Sequence, residues 1–144
     1  MTEANQWEII EGLNAPCADI SYEWQSQEDA QLVVTLHFSR VPEGFASDVR
    51  LTFPNAMTLL WEDESLGLIP IPDQLPLCSS PSFHDWVFPT LILQNSELAT
   101  RYADKTFEKD DPRWSDVEHF VMVSMNDLVH VVSLGRPEII VLAD

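Results

Sequence analysis

Read as alternating apolar and polar positions, the first half of the chain has a period of two. In DISYEWQ, Ile20, Tyr22 and Trp24 share one side. After the polar SQED, QLVVTLHFS sets Leu32, Val34, Leu36 and Phe38 on one side, with Gln31, Val33, Thr35 and His37 on the other. SDVRLTFP alternates through Val49, Leu51 and Phe53, and AMTLLWEDE continues into three consecutive acids. Alternation of this kind specifies half-buried strands, and polar breaks such as SQED and Pro42-Glu43-Gly44 join them into antiparallel hairpins. TLILQ (90–94) predicts a further short strand. NSELATRYADK follows, with Asn95 or Ser96 as N-cap of a helix of about two turns. HFVMVSMNDLVHVVS (119–133) predicts a hairpin turning at Asn126-Asp127, with Phe120, Met122 and Val131 facing one layer, and EIIVLAD closes the chain. Residues 1–14, with Trp7, Ile9, Ile10 and Leu13, form a short amphipathic turn or an edge strand.

Between these elements, residues 70–89 hold half of the ten prolines. Proline fixes φ and removes a ladder donor, so this stretch is neither a central strand nor a long helix. Leu68, Ile69, Ile71, Leu75, Leu77, Phe83 and Trp86 anchor it as a long ordered loop, a kind of segment that is often functional. The expectation is one domain over residues 1–144, of α+β class. It would be a curved, mainly antiparallel sheet of six to eight strands with one or two short helices and the proline-rich loop. Its core would draw on Leu32, Val34, Leu36, Phe38, Val49, Leu51, Phe53, Leu91, Leu93, Phe120, Met122 and Val131.

Charge changes the picture most. Seven Lys and Arg oppose 24 Asp and Glu in 144 residues, a net charge of −17 and a pI near 4.2. Such a field repels nucleic acid and anionic membrane surfaces and attracts a basic protein. The N-terminus lacks the basic and apolar regions of a secretory signal, and no apolar run approaches the roughly 20 residues that span a bilayer. Cys17 and Cys78 form no metal-type spacing. A cytoplasmic, reduced protein is expected.

The four histidines, His37, His84, His119 and His130, are the natural place to look for acid–base or metal chemistry. With the turn at Asn126-Asp127, His119 faces Leu134 and His130 faces Val123. The two then stand four residues apart, about 13 Å at roughly 3.3 Å per residue, too far to share a metal. There is no G-x-S-x-G elbow, phosphate loop or dinucleotide fingerprint. No catalytic residue, metal or cofactor is therefore expected. Glu62-Asp63-Glu64 after Trp61 instead suggests an acidic docking patch with an aromatic anchor. Asp110 and Asp111 form a second acidic point, interleaved with Lys105, Lys109 and Arg113.

Three stretches taken together, VRLTFPNAMTLLWEDES (49–65), WVFPTLILQNSELATRY (86–102) and HFVMVSMNDLVHVVSLGRPEI (119–139), resemble small acidic bacterial proteins of uncharacterised function. Several of those are assigned as immunity proteins of polymorphic toxin systems. The resemblance implies a compact, mostly β, non-enzymatic protein whose partner is another protein, and it assigns no binding residue. The leading expectation is an immunity protein that neutralises a basic toxin domain. The alternatives are an acidic secretion chaperone, dimeric through an apolar helix, and a small enzyme or metal-binding domain using the histidines.

Overall fold

The structure, a computed structural model, describes residues 2–38, 47–63, 74–79, 83 and 86–142. The strands are β1 (Glu3–Gln6), β2 (Asp19–Ser26), β3 (Gln31–His37), β4 (Asp48–Phe53) and β5 (Ala56–Asp63), then β6 (Thr90–Gln94), β7 (Val117–Val123), β8 (Asp127–Leu134) and β9 (Glu138–Leu142). One helix, α1 (Glu97–Thr106), and a 3-10 turn, Pro112–Asp116, lie between β6 and β7. The strands divide between two sheets, in the orders β1-β6-β7-β8-β5 and β2-β3-β4-β9, and every strand pair is antiparallel. The α+β class and antiparallel character follow the alternation. There is more strand than the six to eight expected, and it packs in two layers.

The layers meet on the faces that the period of two assigns. Leu32, Val34, Leu36, Val49, Leu51 and Phe53 of the four-stranded sheet form one core with Phe120, Met122, Val129 and Val131 of the other. Phe53 and Phe120 cross between the sheets with ring centroids 5.3 Å apart, and Trp7 lies 4.9 Å from Phe120 on its other side. Aromatic pairs in such tilted arrangements add to the gain from area burial.

The far face of the five-stranded sheet is also covered. Toward one end, Ala99 and Ala103 of α1 pack on Val117 and Val132. Toward the other, Cys78 and Phe88 pack on Leu91, Leu93, Val121 and Leu128. Cys78 and Phe88 belong to the proline-rich loop. Its described part folds back on itself through the Leu77–Val87 bridge and hydrogen bonds from Cys78 N–H to Trp86 O and from Phe88 N–H to Pro76 O. Leu75 and Phe83 anchor it as expected, but Leu77 and Trp86 are about half exposed. Leu68, Ile69, Ile71 and Pro42-Glu43-Gly44 lie outside the described residues. No helix among the described residues is long and apolar enough to cross a membrane.

Candidate functional site

The β7–β8 hairpin does not turn at Asn126-Asp127. Val123 pairs with Leu128, Ser124 stands opposite Asp127, and the chain reverses at Met125-Asn126, one residue earlier. Ser124 holds this turn: its N–H donates to Asp127 O, and its hydroxyl accepts from Asp127 N–H at 3.0 Å. The changed register pairs His119 with Val132 and His130 with Val121, so the two histidines are diagonal neighbours two residues apart. Their ring centroids are 5.1 Å apart. The expected separation of about 13 Å is thus corrected by the position of the turn.

Both rings point to the outer face of the five-stranded sheet, between the apolar cluster under α1 and the one under the proline-rich loop. There they join a buried chain of hydrogen bonds. Ala99 N–H donates to Ser96 Oγ at 3.2 Å, and Ser96 Oγ lies 2.6 Å from His119 Nδ1. His119 Nε2 lies 2.8 Å from His130 Nδ1, and His130 Nε2 lies 3.1 Å from Glu62 Oε2. The four side chains are at most 5% exposed. One direction satisfies every link: Ala99 donates to Ser96, Ser96 to His119, His119 to His130, and His130 to the Glu62 carboxylate. Both imidazoles are then neutral, each with its hydrogen on Nε2. Burial, with His130 alongside, pushes His119 down to about 3. Burial also lowers His130, against the opposing pull of Glu62.

Local sequence explains each member. Ser96 is the N-cap of α1, reached through Asn95 in the left-handed region at φ 57°, a conformation asparagine tolerates. Glu62 shares the outer face of the sheet with His130, because it stands opposite Leu128 and neighbours on a strand point to opposite faces. Trp61 and Asp63 therefore face away from it. The expectation that Glu62 contacts a partner is corrected accordingly: its carboxylate is buried against His130.

Ser96 also lines the wall of a cleft of about 810 Å³ between β1 and α1, with Asn5, Gln6, Thr100, Trp114 and Arg136. A serine next to an imidazole invites comparison with a nucleophile and its base. A base held near 3 is a weak proton acceptor at neutral pH, however, and the linked hydrogen bonds account for every group. A second serine–histidine–carboxylate set crosses the outer face of the four-stranded sheet. His37 Nε2 is 3.1 Å from Ser21 Oγ, and His37 Nδ1 is 3.0 Å from Asp48 Oδ1. The order is that of a hydrolytic triad. Here the three side chains stand on adjacent strands of an open face, with His37 and Asp48 more than a third exposed, where a cross-strand polar ladder is the ordinary outcome. Among the described residues no cluster of three or more His, Cys, Asp or Glu is arranged to hold a metal. His84 lies outside them. Cys17 and Cys78 are buried free thiols, Cys17 pushed up to about 12 by burial.

The acidic positions separate into two places. Trp61 is 51% exposed, and Asp63 two residues on stands directly opposite Asp127. Past Asp127, Met125 of the loop is exposed and lines a small hollow with Trp86 and Val87. One end of the sheet therefore carries Trp61, Trp86, Met125 and two facing carboxylates. Glu64 lies outside the described residues.

Asp110 and Asp111 are at the other end, before the 3-10 turn that leads into Val117. Asp111 caps that turn through Arg113 N–H at 2.9 Å and binds the Arg113 guanidinium at 2.8 and 3.1 Å. That guanidinium holds its carboxyl below the usual range. Asp111 is therefore neutralised within the chain and does not join the Trp61 patch. No family model, no curated protein and no solved structure matches this chain.

Proposed function

We propose that this is a cytoplasmic, non-enzymatic protein-binding protein that docks a basic partner, most concretely an immunity protein that occludes a cationic toxin domain. The observation that carries the reading is the sheet end where Trp61 is exposed beside the facing pair Asp63 and Asp127. Carboxylates at this end accept hydrogen bonds from a lysine or arginine, and the neighbouring tryptophan supplies apolar contact area and a π face. The net charge of −17 adds long-range attraction that speeds encounter with such a partner. Trp61, Asp63 and Asp127 are the contacts this reading selects, with Trp86 and Met125 at the margin. Asp110 is exposed but remote, and it contributes to the field. The chaperone alternative draws no support from α1, whose apolar side is already packed on the sheet.

The test is capture from a lysate of the source cell at about 50 mM and about 500 mM salt, where screening is weak and strong respectively. The wild type is compared with Trp61→Ala and with Asp63→Asn/Asp127→Asn. The expected result is a basic protein retained at low salt, released at high salt and lost with either variant. Co-expression with the captured protein should then abolish that protein's toxicity. Retention of no basic partner at low salt, or retention that ignores both variants, rules the reading out.

A further inference from the structure

Among the described residues the two sheets have four edge strands, and three of them carry features that discourage pairing with another chain. β1 has four residues and begins with Glu3. β2 carries Asp19 and Glu23, and its register breaks between Trp24 and Ser26. β5 breaks register between Ala56 and Thr58 and ends in Glu62-Asp63. Short length, bulges and charges are the devices by which natural sheets avoid edge-to-edge association. β9 differs. Glu138–Leu142 pairs only with β4 among the described residues, its register is unbroken, and its one charge is at its first residue. Ile139, Ile140 and Val141 are 36%, 36% and 51% exposed, although Ile139 and Val141 lie on the face that the rest of the sheet buries.

We infer that β9 is an association edge for a second copy of this chain, pairing antiparallel about a two-fold axis at Ile140. In that register Ile140 meets Ile140 of the partner subunit on the outer face. Ile139 meets Val141 on the inner face, and Glu138 meets Leu142, so no like charges face each other. An isologous contact needs this self-complementarity. Joining the edges makes one eight-stranded sheet from two four-stranded ones and satisfies backbone groups that are otherwise left to water. Charge selects the second copy over a basic strand from another protein. Ile140 pairs with Arg50, the one Lys or Arg in the described strands of that sheet, so this edge is less acidic than β2, the other edge of the sheet, which carries Asp19 and Glu23. The inference does not depend on the docking reading, and its salt dependence has the opposite sign. Two chains of −17 repel, so added salt strengthens the dimer, whereas it weakens docking of a basic protein.

Sedimentation of the full chain from about 10 to about 500 µM, at about 20 and about 300 mM salt, tests this through mass action and screening. The expected result is a concentration-dependent dimer favoured at the higher salt. Ile140→Lys and Ile140→Glu should each be monomeric, and their equimolar mixture should restore the dimer, because the two side chains meet across the axis. Where a variant melts below the wild type, amide exchange of residues 139–141 in the wild type replaces it, with protection that rises with concentration. A monomer under all conditions, a dimer indifferent to Ile140→Lys, or a dimer that dissociates as salt is raised overturns the inference.

Discussion

At the scale of single residues, the Ser96–His119–His130–Glu62 chain shows how burial sets protonation. A buried polar group is tolerable when each donor meets an acceptor, and costly when one is removed. Glu62→Leu would leave the His130 Nε2–H buried without its acceptor, a loss on the order of 1–3 kcal/mol. Replacing Glu62, His119 and His130 together by leucine removes these groups along with one another and leaves only the Ser96 hydroxyl, at the cleft wall, without its acceptor. The combined loss should therefore fall well below the sum of the three single losses. Urea denaturation of the three single variants and the triple variant measures this, and strict additivity would show that the groups act independently. Alternation alone sets Glu62 on the face opposite Trp61 and Asp63, but it did not reveal that this face is buried there. What that acid would meet depended on the pairing of β5 with β8, which local pattern does not specify.

At the scale of elements, alternation placed β2, β3 and β4 on their correct faces, and all twelve expected core side chains are buried. The β7–β8 register was not legible in the same way. Asn-Asp is a fair turn signal, and the Ser124 hydroxyl, accepting from Asp127 N–H, favours a turn one residue earlier, at Met125-Asn126. A two-residue change in register keeps every side chain on its face, so the hydrophobic pattern could not expose the difference, although it joins or separates the two histidines. The β2–β3 hairpin carries a different cost. Ala30 sits at φ 56°, with its carbonyl accepting from Ala56 N–H at 2.9 Å. An L side chain is disfavoured there by roughly 1–2 kcal/mol. Ala30→Gly keeps the carbonyl contact and should raise stability by up to about 1 kcal/mol once the greater freedom of unfolded glycine is counted. A thermal melt of this variant checks it, and a lowered melting temperature would mean that the alanine is not strained.

At the scale of the whole molecule, two protonation effects oppose each other as pH falls. Both buried histidines have folded pKa values below the ordinary value of about 6.5, so the unfolded chain binds protons that the folded one refuses. Their contribution is complete above about pH 6.5 and declines below it, at up to about 1.4 kcal/mol per pH unit for each histidine, and for His119 the decline continues toward pH 3. Protonation of surface carboxylates meanwhile relieves the repulsion within a chain of net charge −17. Urea titrations at about pH 7.5, 6 and 5 separate the two, because the triple leucine variant keeps the second effect and lacks the first. The wild type should lose stability more steeply than that variant over this range, and parallel slopes would contradict neutral burial of the histidines. The acidity behind the second effect was legible from composition alone. Which carboxylates face each other was not, because Asp63 and Asp127 are brought together by strands far apart in sequence.

The hydrogen-bonded chain also ties distant parts of the sheet together. Its four side chains come from β5, the start of α1, β7 and β8, so it crosses the outer face of the sheet from one margin to the helix that covers it. Glu62 stands on β5 between Trp61 and Asp63, whose side chains point to the opposite face. The exposed end of the sheet and the cleft beside α1, which Ser96 lines, are therefore joined by one continuous run of buried hydrogen bonds.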